Sequence, residues 1–171
     1  MSGTVDANAN TDLSATESSR EALWGKPNAF NTATPVFLQI QSLSTLRKSE
    51  SPLSYGRLYF RETSGNGNGF GYPFGSGGLV AFSRILSDRE ILVVANNGAR
   101  GFSGAVLLDR DINAIPHQMS VACSNLGNSR TGAVRQLPTA SFYRDGQISN
   151  GPALALDVVL AASEVQVLVP I

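Results

Sequence analysis

The side chains that could do acid–base or nucleophilic work are few: thirteen Asp and Glu residues, one histidine and one cysteine. Asp109, Asp111 and Asn113 place oxygen atoms at alternate positions, as the start of a calcium loop does. The glycine at the sixth position and the closing glutamate of such a loop are missing, so the run reads as a polar bend. Gly65, Gly67, Gly69 and Gly71 are spaced like a nucleotide-binding loop. Phosphate binding would need a helix to follow and present its N–H groups. Here a strand pattern follows and no lysine is near, which predicts a flexible hairpin connection. His117 stands without the partners that a triad or metal site requires, and reads as a surface loop residue. Cys123 lies in an apolar strand pattern and reads as a small core residue. Trp24, Tyr55, Tyr59, Phe60, Phe70, Tyr72 and Phe74 could stack on sugar rings. The strand aromatics alternate with polar residues, however, as packed faces do. No catalytic, cofactor-binding or metal-binding residue is assigned, and no cofactor is expected.

Charge narrows the partners. Thirteen basic residues balance thirteen acidic ones, and only 15% of the chain is charged. No basic stripe is present for a phosphate backbone to meet, so no nucleic-acid partner is expected. No apolar run has the length of a membrane span, so no membrane partner is expected either. Met1-Ser2-Gly3-Thr4-Val5-Asp6 lacks the basic start and apolar core of a signal peptide. Together with the lone Cys123, this predicts a cytoplasmic location.

Stepping along the chain, residues 1–19 are rich in Ser, Thr, Asn, Ala and Asp and predict loop or disorder. Thr34-Pro35 makes a good helix start, with threonine as N-cap and proline at the first helical position. Val36, Phe37, Ile40, Leu43 and Leu46 then follow at helical spacing, and Ser51-Pro52 stops the run. The most informative stretch is 78–96. Leu79 to Leu86 and Ile91 to Asn96 are apolar, β-branched runs separated by Ser87-Asp88-Arg89-Glu90, which predicts a central hairpin. The second run is apolar on both faces, as in the inner layer of a sandwich, so Val93→Asp is expected to prevent folding. Further strands are expected at 55–62, 102–108, 119–123, 134–137, 153–160 and 165–169, with a tight turn at Asp145-Gly146. The expected fold is mainly β: an antiparallel Greek-key β-sandwich of about seven or eight strands with one N-terminal α-helix.

The same stretch carries a family resemblance. Ala81-Phe82-Ser83-Arg84-Ile85-Leu86-Ser87-Asp88-Arg89-Glu90-Ile91-Leu92-Val93-Val94-Ala95-Asn96 resembles the opening hairpin of the C-terminal β-domain in the α-amylase superfamily, glycoside hydrolase family 13. Arg20 to Pro27 with Ala29-Phe30 resembles the loop after the last barrel strand of that family, and Ile40 to Leu53 its final barrel helix. Tyr55 to Glu62 resembles the entry strand of the C-terminal domain, and Glu164 to Val169 its last strand. Ser2-Gly3-Thr4-Val5-Asp6 echoes the Tyr-Gly-Thr-Glu-Gln of the loop after the eighth strand, with valine in place of the usual carboxylate.

The resemblance covers the tail of the family and not its active site. Its catalytic carboxylates, at barrel strands four and five and after strand seven, have no counterpart here. It therefore implies a remnant of the last barrel unit over 1–52 and a C-terminal β-domain over 53–171. The implied role is non-catalytic: packing on a catalytic (β/α)8 barrel absent from this chain and stabilising it. The chain alone is expected to be inactive. A free-standing carbohydrate-binding module, with weak α-glucan contact through its aromatics, is the competing expectation. An enzyme in its own right ranks below both. The apolar stripe of the helix at 35–50 must be covered by the β-body or by a second copy, giving a weak homodimer.

Overall fold

A computed structural model describes residues 32–72, 78–113 and 118–171. Residues 1–31, which include Trp24 and the stretch resembling the last barrel loop, lie outside the described residues, as do Phe74 and His117. The chain divides into two units, Met1–Gln41 and Ser42–Ile171.

The first helix, α1 (Pro35–Ser49), begins where the sequence places it, and the Phe37 N–H donates to Thr34 Oγ1 at 3.3 Å. None of its residues is buried; Val36, Ile40 and Leu43 are 68%, 59% and 47% exposed. Helix α2 (Ser51–Tyr55) follows, a short element that the sequence pattern does not predict. It belongs to the larger unit. Arg89 donates to both oxygens of Glu50 at 2.9 Å, and Arg84 Nε reaches the Pro52 carbonyl. These bonds fasten Glu50 and Pro52 to the strands of the larger unit.

The larger unit is mainly β. Its strands are β1 (Arg57–Arg61), β2 (Thr63–Ser64), β3 (Gly69–Gly71), β4 (Leu79–Leu86), β5 (Arg89–Asn96), β6 (Phe102–Leu108), β7 (Gln118–Ser124), β8 (Thr131–Arg144), β9 (Gln147–Leu160) and β10 (Val165–Pro170). That is ten strands among the described residues rather than seven or eight. The additions, β2 and β3, lie inside the glycine-rich stretch expected to be a plain connection. Strand β8 is also longer than expected. It continues past Pro138 through a bulge between Leu137 and Ala140, where a missing N–H breaks no ladder bond.

The strands run in the order β1-β4-β5-β10-β7-β8-β3-β2-β6-β9, and β9 pairs back onto β8. Strands β8, β3, β2, β6 and β9 thus close into a five-stranded ring, from which the remaining strands extend as an open sheet. Antiparallel neighbours must be even in number around any closed ring. A five-stranded ring therefore needs a parallel pair, and β3–β8 supplies it while the other ring pairings are antiparallel. Strand β8 leaves the ring at its N-terminal end to pair with β7 through residues 131–133, so it joins the two layers.

Two apolar cores result. Phe70, Ala105, Leu137, Ala140, Ala153 and Ala155 fill the ring. Leu154, Leu156, Val158 and Leu160 of β9 face the other way, against Leu79, Ala81, Leu92, Val94 and Leu168 of the open sheet. Both faces are buried over Ala153–Leu156 of β9, and over Glu90–Leu92 of β5 as the sequence leads one to expect. Val93 is half-buried on the outer face of the sheet, and its neighbours Leu92 and Val94 are the buried ones. The alternation along the hairpin decides this, since a face apolar in sequence need not be covered.

Tight approaches fix the chain path at two glycines. A Cβ on Gly104 would lie 2.3 Å from the Ser64 carbonyl oxygen, and one on Gly56 would lie 2.6 Å from that of Pro52. The tight hairpin turns use left-handed residues: Ser87 at φ 53° between β4 and β5, then Asp145 at 49° and Gly146 at 75° between β8 and β9.

Two outcomes follow for stability. Gly104→Ala forces apart β2 and β6, and a urea melt should show a loss of about 3 kcal/mol or more. Val94→Asp places an unpaired charge in the inter-layer core and should abolish the folded circular-dichroism signal. Val93→Asp on the outer face should leave a cooperative, weakened transition.

Candidate functional site

Among the described residues three glutamates are buried, and each is held by its own set of partners. Glu90, at the start of β5, is the hub of the central hairpin, its side chain wholly inaccessible. Its Oε1 accepts from Arg61 Nη2 at 2.6 Å and from the Ser83 hydroxyl; its Oε2 accepts from the Asp109 N–H at 2.9 Å and from Asn113 Nδ2. Arg61 Nε donates to Ser83 at 2.7 Å, and Asp109 Oδ2 lies 3.7 Å from Arg61 Nη2. Strands β1, β4 and β5 and the bend after β6 therefore converge on one carboxylate.

Glu164 ties β10 to β7 and to the turn after it. Its Oε1 accepts from Ser124, Asn128 and Gln166 at 2.8–2.9 Å, and its Oε2 from the Ala161 N–H at 2.7 Å. Burial pushes its pKa up, but the hydrogen bonds from Gln166, Ala161, Asn128 and Ser124 outweigh it and hold the carboxyl at about 2.

Glu62, between β1 and β2, is 2% exposed and pairs through Oε1 with Arg144 Nε. Its Oε2 is buried and has no hydrogen-bond partner. The pairing with Glu62 raises the Arg144 guanidinium above its usual pKa, and the same guanidinium lies 5.3 Å from the Phe142 ring centroid.

Polar positions singled out in the sequence take part in local structure. Asp109 Oδ1 accepts from the Asp111 N–H at 3.0 Å, and Asn113 turns its amide to Glu90 and to the Asp109 carbonyl, which makes the polar bend. In the glycine-rich stretch the N–H groups that could hold a phosphate are committed. Asn68 and Gly69 donate to Asn66 Oδ1, and Gly67 donates to Ser64 Oγ. Gly69 serves close packing, since a Cβ there would lie 2.9 Å from the Tyr143 ring, and Gly67 takes a left-handed φ of 79°. Cys123 is half-buried on β7, opposite Val167. Phe70 is fully buried in the ring core, whereas Tyr55, Tyr59, Phe60 and Tyr72 are exposed. Strand alternation sends Tyr59 and Phe60 to opposite faces of β1.

Two shallow clefts of about 250 and 360 Å³ flank β9 where β8 diverges from it. Asp157 is the only acid lining either one, and it accepts from Arg135 Nε at 2.9 Å. Glycoside hydrolysis needs two carboxylates across the scissile bond, and neither cleft offers a pair.

One surface feature of the described residues is apolar. Leu58 and Phe60 of β1, Val80 and Phe82 of β4, Val93 and Ala95 of β5 and Val165 of β10 share the outer face of the open sheet, by register. Phe60 is 62% exposed, Leu58 47%, Val165 40% and Val80 39%. Ile91 and Val167 share this face and are buried, so its exposed part is Leu58 and Phe60 of β1 with Val80 and Val165, and exposed apolar side chains grouped in this way mark an interaction surface. The sequence lists these residues as strand formers, but only the pairing register brings them to one face. No protein-family model and no curated protein matches the chain.

The glutamates set two measurable properties. Glu164 ionises below its unfolded value, so its contribution is fully present above about pH 4.5 and is lost as pH falls toward 2. The full span is about 3 kcal/mol, and Glu164→Gln should flatten the stability–pH curve in that window. Arg144→Ala leaves the Glu62 charge buried and uncompensated, and should cost on the order of 3 kcal/mol in a denaturant melt.

Proposed function

We propose that the chain is a non-catalytic C-terminal β-domain of an α-amylase-like glycoside hydrolase, which packs on a catalytic (β/α)8 barrel and stabilises it. The finer fold that goes with this reading is the Greek-key β-sandwich of that family, with β6 and β9 as the second layer behind the hairpin. One observation carries the reading. The hairpin β4–β5, whose sequence bears the resemblance, turns a partly exposed apolar face outward, with Val80 exposed and Phe82, Val93 and Ala95 half-buried beside the buried Ile91. A barrel surface is the partner that the resemblance supplies for such a face. The buried glutamates support the same reading, because all of them are engaged in tying strands together and none is poised toward a cleft.

The test is co-expression with an α-amylase-family barrel truncated after its eighth strand. The chain should co-purify with the barrel and raise its melting temperature, and Val80→Asp should abolish capture while leaving the β-domain folded. Alone, the chain should release no reducing sugar from starch, maltooligosaccharides or sucrose. Turnover that survives purification and is lost on changing one carboxylate would overturn the reading, as would a soluble barrel that the chain does not bind.

A further inference from the structure

The edge of the open sheet points to a partner distinct from a barrel. Strand β1 is the end strand in the sheet order, and among the described strands β4 is its ladder partner. Its residues Arg57, Leu58, Tyr59 and Phe60 are all exposed. An end strand presents a row of N–H and C=O groups ready to pair, and proteins normally guard it with proline, a bulge, a covering loop or an uncompensated charge. Strand β1 contains no proline, and its register with β4 runs without a shift from Arg57↔Ile85 to Arg61↔Ala81.

We propose that β1 pairs with β1 of a second copy, antiparallel and centred on Tyr59, so that two open sheets join across a two-fold axis. The sequence of the strand, Arg57-Leu58-Tyr59-Phe60-Arg61, is nearly palindromic in chemistry. In this register Tyr59 meets Tyr59 of the second copy at the axis, and Leu58 meets Phe60 on the outer face. The apolar surface then runs from Phe82 and Phe60 across to Leu58 and Arg84 of the other sheet.

The remaining pair, Arg57 against Arg61, looks repulsive, and the structure removes that objection. The Arg61 guanidinium is already engaged with Glu90 at 2.6 Å and lies 3.7 Å from Asp109. One positive charge against two negative ones leaves that end of the strand with a net charge of minus one. Arg57 of the second copy approaches this acidic cluster, so the ends of the pairing are complementary and the same contact forms twice. A two-fold interface has this self-complementary form, and adding a strand to an exposed edge is a common mode of recognition.

Sedimentation velocity on the full chain across a concentration series tests the proposal. The parent should show a reversible monomer–dimer equilibrium. Phe60→Lys should weaken it about tenfold or more, and Arg57→Glu should weaken it too, with both variants melting as cooperatively as the parent. A cross-link fixes the register. Opposed residues of an antiparallel pair have Cα atoms about 4.5–5.5 Å apart, within disulfide range. Tyr59→Cys in a Cys123→Ser background should therefore give a covalent dimer on mild oxidation, whereas Ile40→Cys should not. The idea fails if the parent is monomeric throughout or if Arg57→Glu tightens the dimer. It also fails if the Tyr59→Cys variant does not cross-link, or if Leu43→Asp on α1 abolishes dimerisation while Phe60→Lys leaves it intact.

Discussion

One strand has to satisfy two cores at once. Strand β9 pairs with β6 on one side and β8 on the other, and both of its faces are buried from Ala153 to Leu156. Its sequence resolves the demand by alternating small with large: Ala153 and Ala155 point into the five-stranded ring, while Leu154, Leu156, Val158 and Leu160 point at the open sheet. A ring of so few strands is narrow, and the interior is correspondingly filled by alanines at 105, 140, 153 and 155 around Phe70 and Leu137. The inter-layer space is wider and takes the leucines. The inner face of β4–β5–β10 rests on the large side of β9, together with Val106 and Leu108 of β6 and Val134 of β8.

The buried glutamates do the complementary work at the margins of these cores. Glu62 and Glu164 stand just outside strand ends and Glu90 near the start of β5, and backbone and side-chain donors meet Glu90 and Glu164. Glu90 gathers three strands and a bend, and Glu164 gathers β7, β10 and the turn beside them. A buried carboxylate is costly unless its hydrogen bonds are satisfied, so these sites specify which loops sit where. Glu62 departs from the pattern in that one of its oxygens has no partner. Carboxylates used in this way hold the fold together.

Local chemistry was legible wherever it is decided locally. The helix start at Thr34-Pro35, the hairpin over 79–96, the turn at Asp145-Gly146 and the leucine face of β9 all follow from short-range pattern, and the structure places them so. What the pattern could not reveal depends on closure over long separations. The two-residue strand β2 and the three-residue strand β3 exist because an odd ring needs a parallel pair, and nothing within Thr63–Gly71 announces that. Pro138 looks like the end of a strand and is instead accommodated at a bulge. Val93 reads as interior because its run is apolar on both faces, yet it is only half-buried, while Ile91 two residues before it on the same side is fully buried. An exposed apolar residue such as Val80 is likewise indistinguishable in sequence from a covered one such as Ile91 on the same face.

The partition of small and large residues on β9 is open to a direct measurement. Denaturant melts of Ala155→Leu and of Val159→Leu, an exposed position on the same strand, compare added volume inside the ring with added volume at the surface. Overpacking the ring should cost about 2 kcal/mol or more, while the surface change should stay within about 0.5 kcal/mol of the parent. An Ala155→Leu variant as stable as the parent would contradict the account, because the ring would then have room that its alanines are said to exclude.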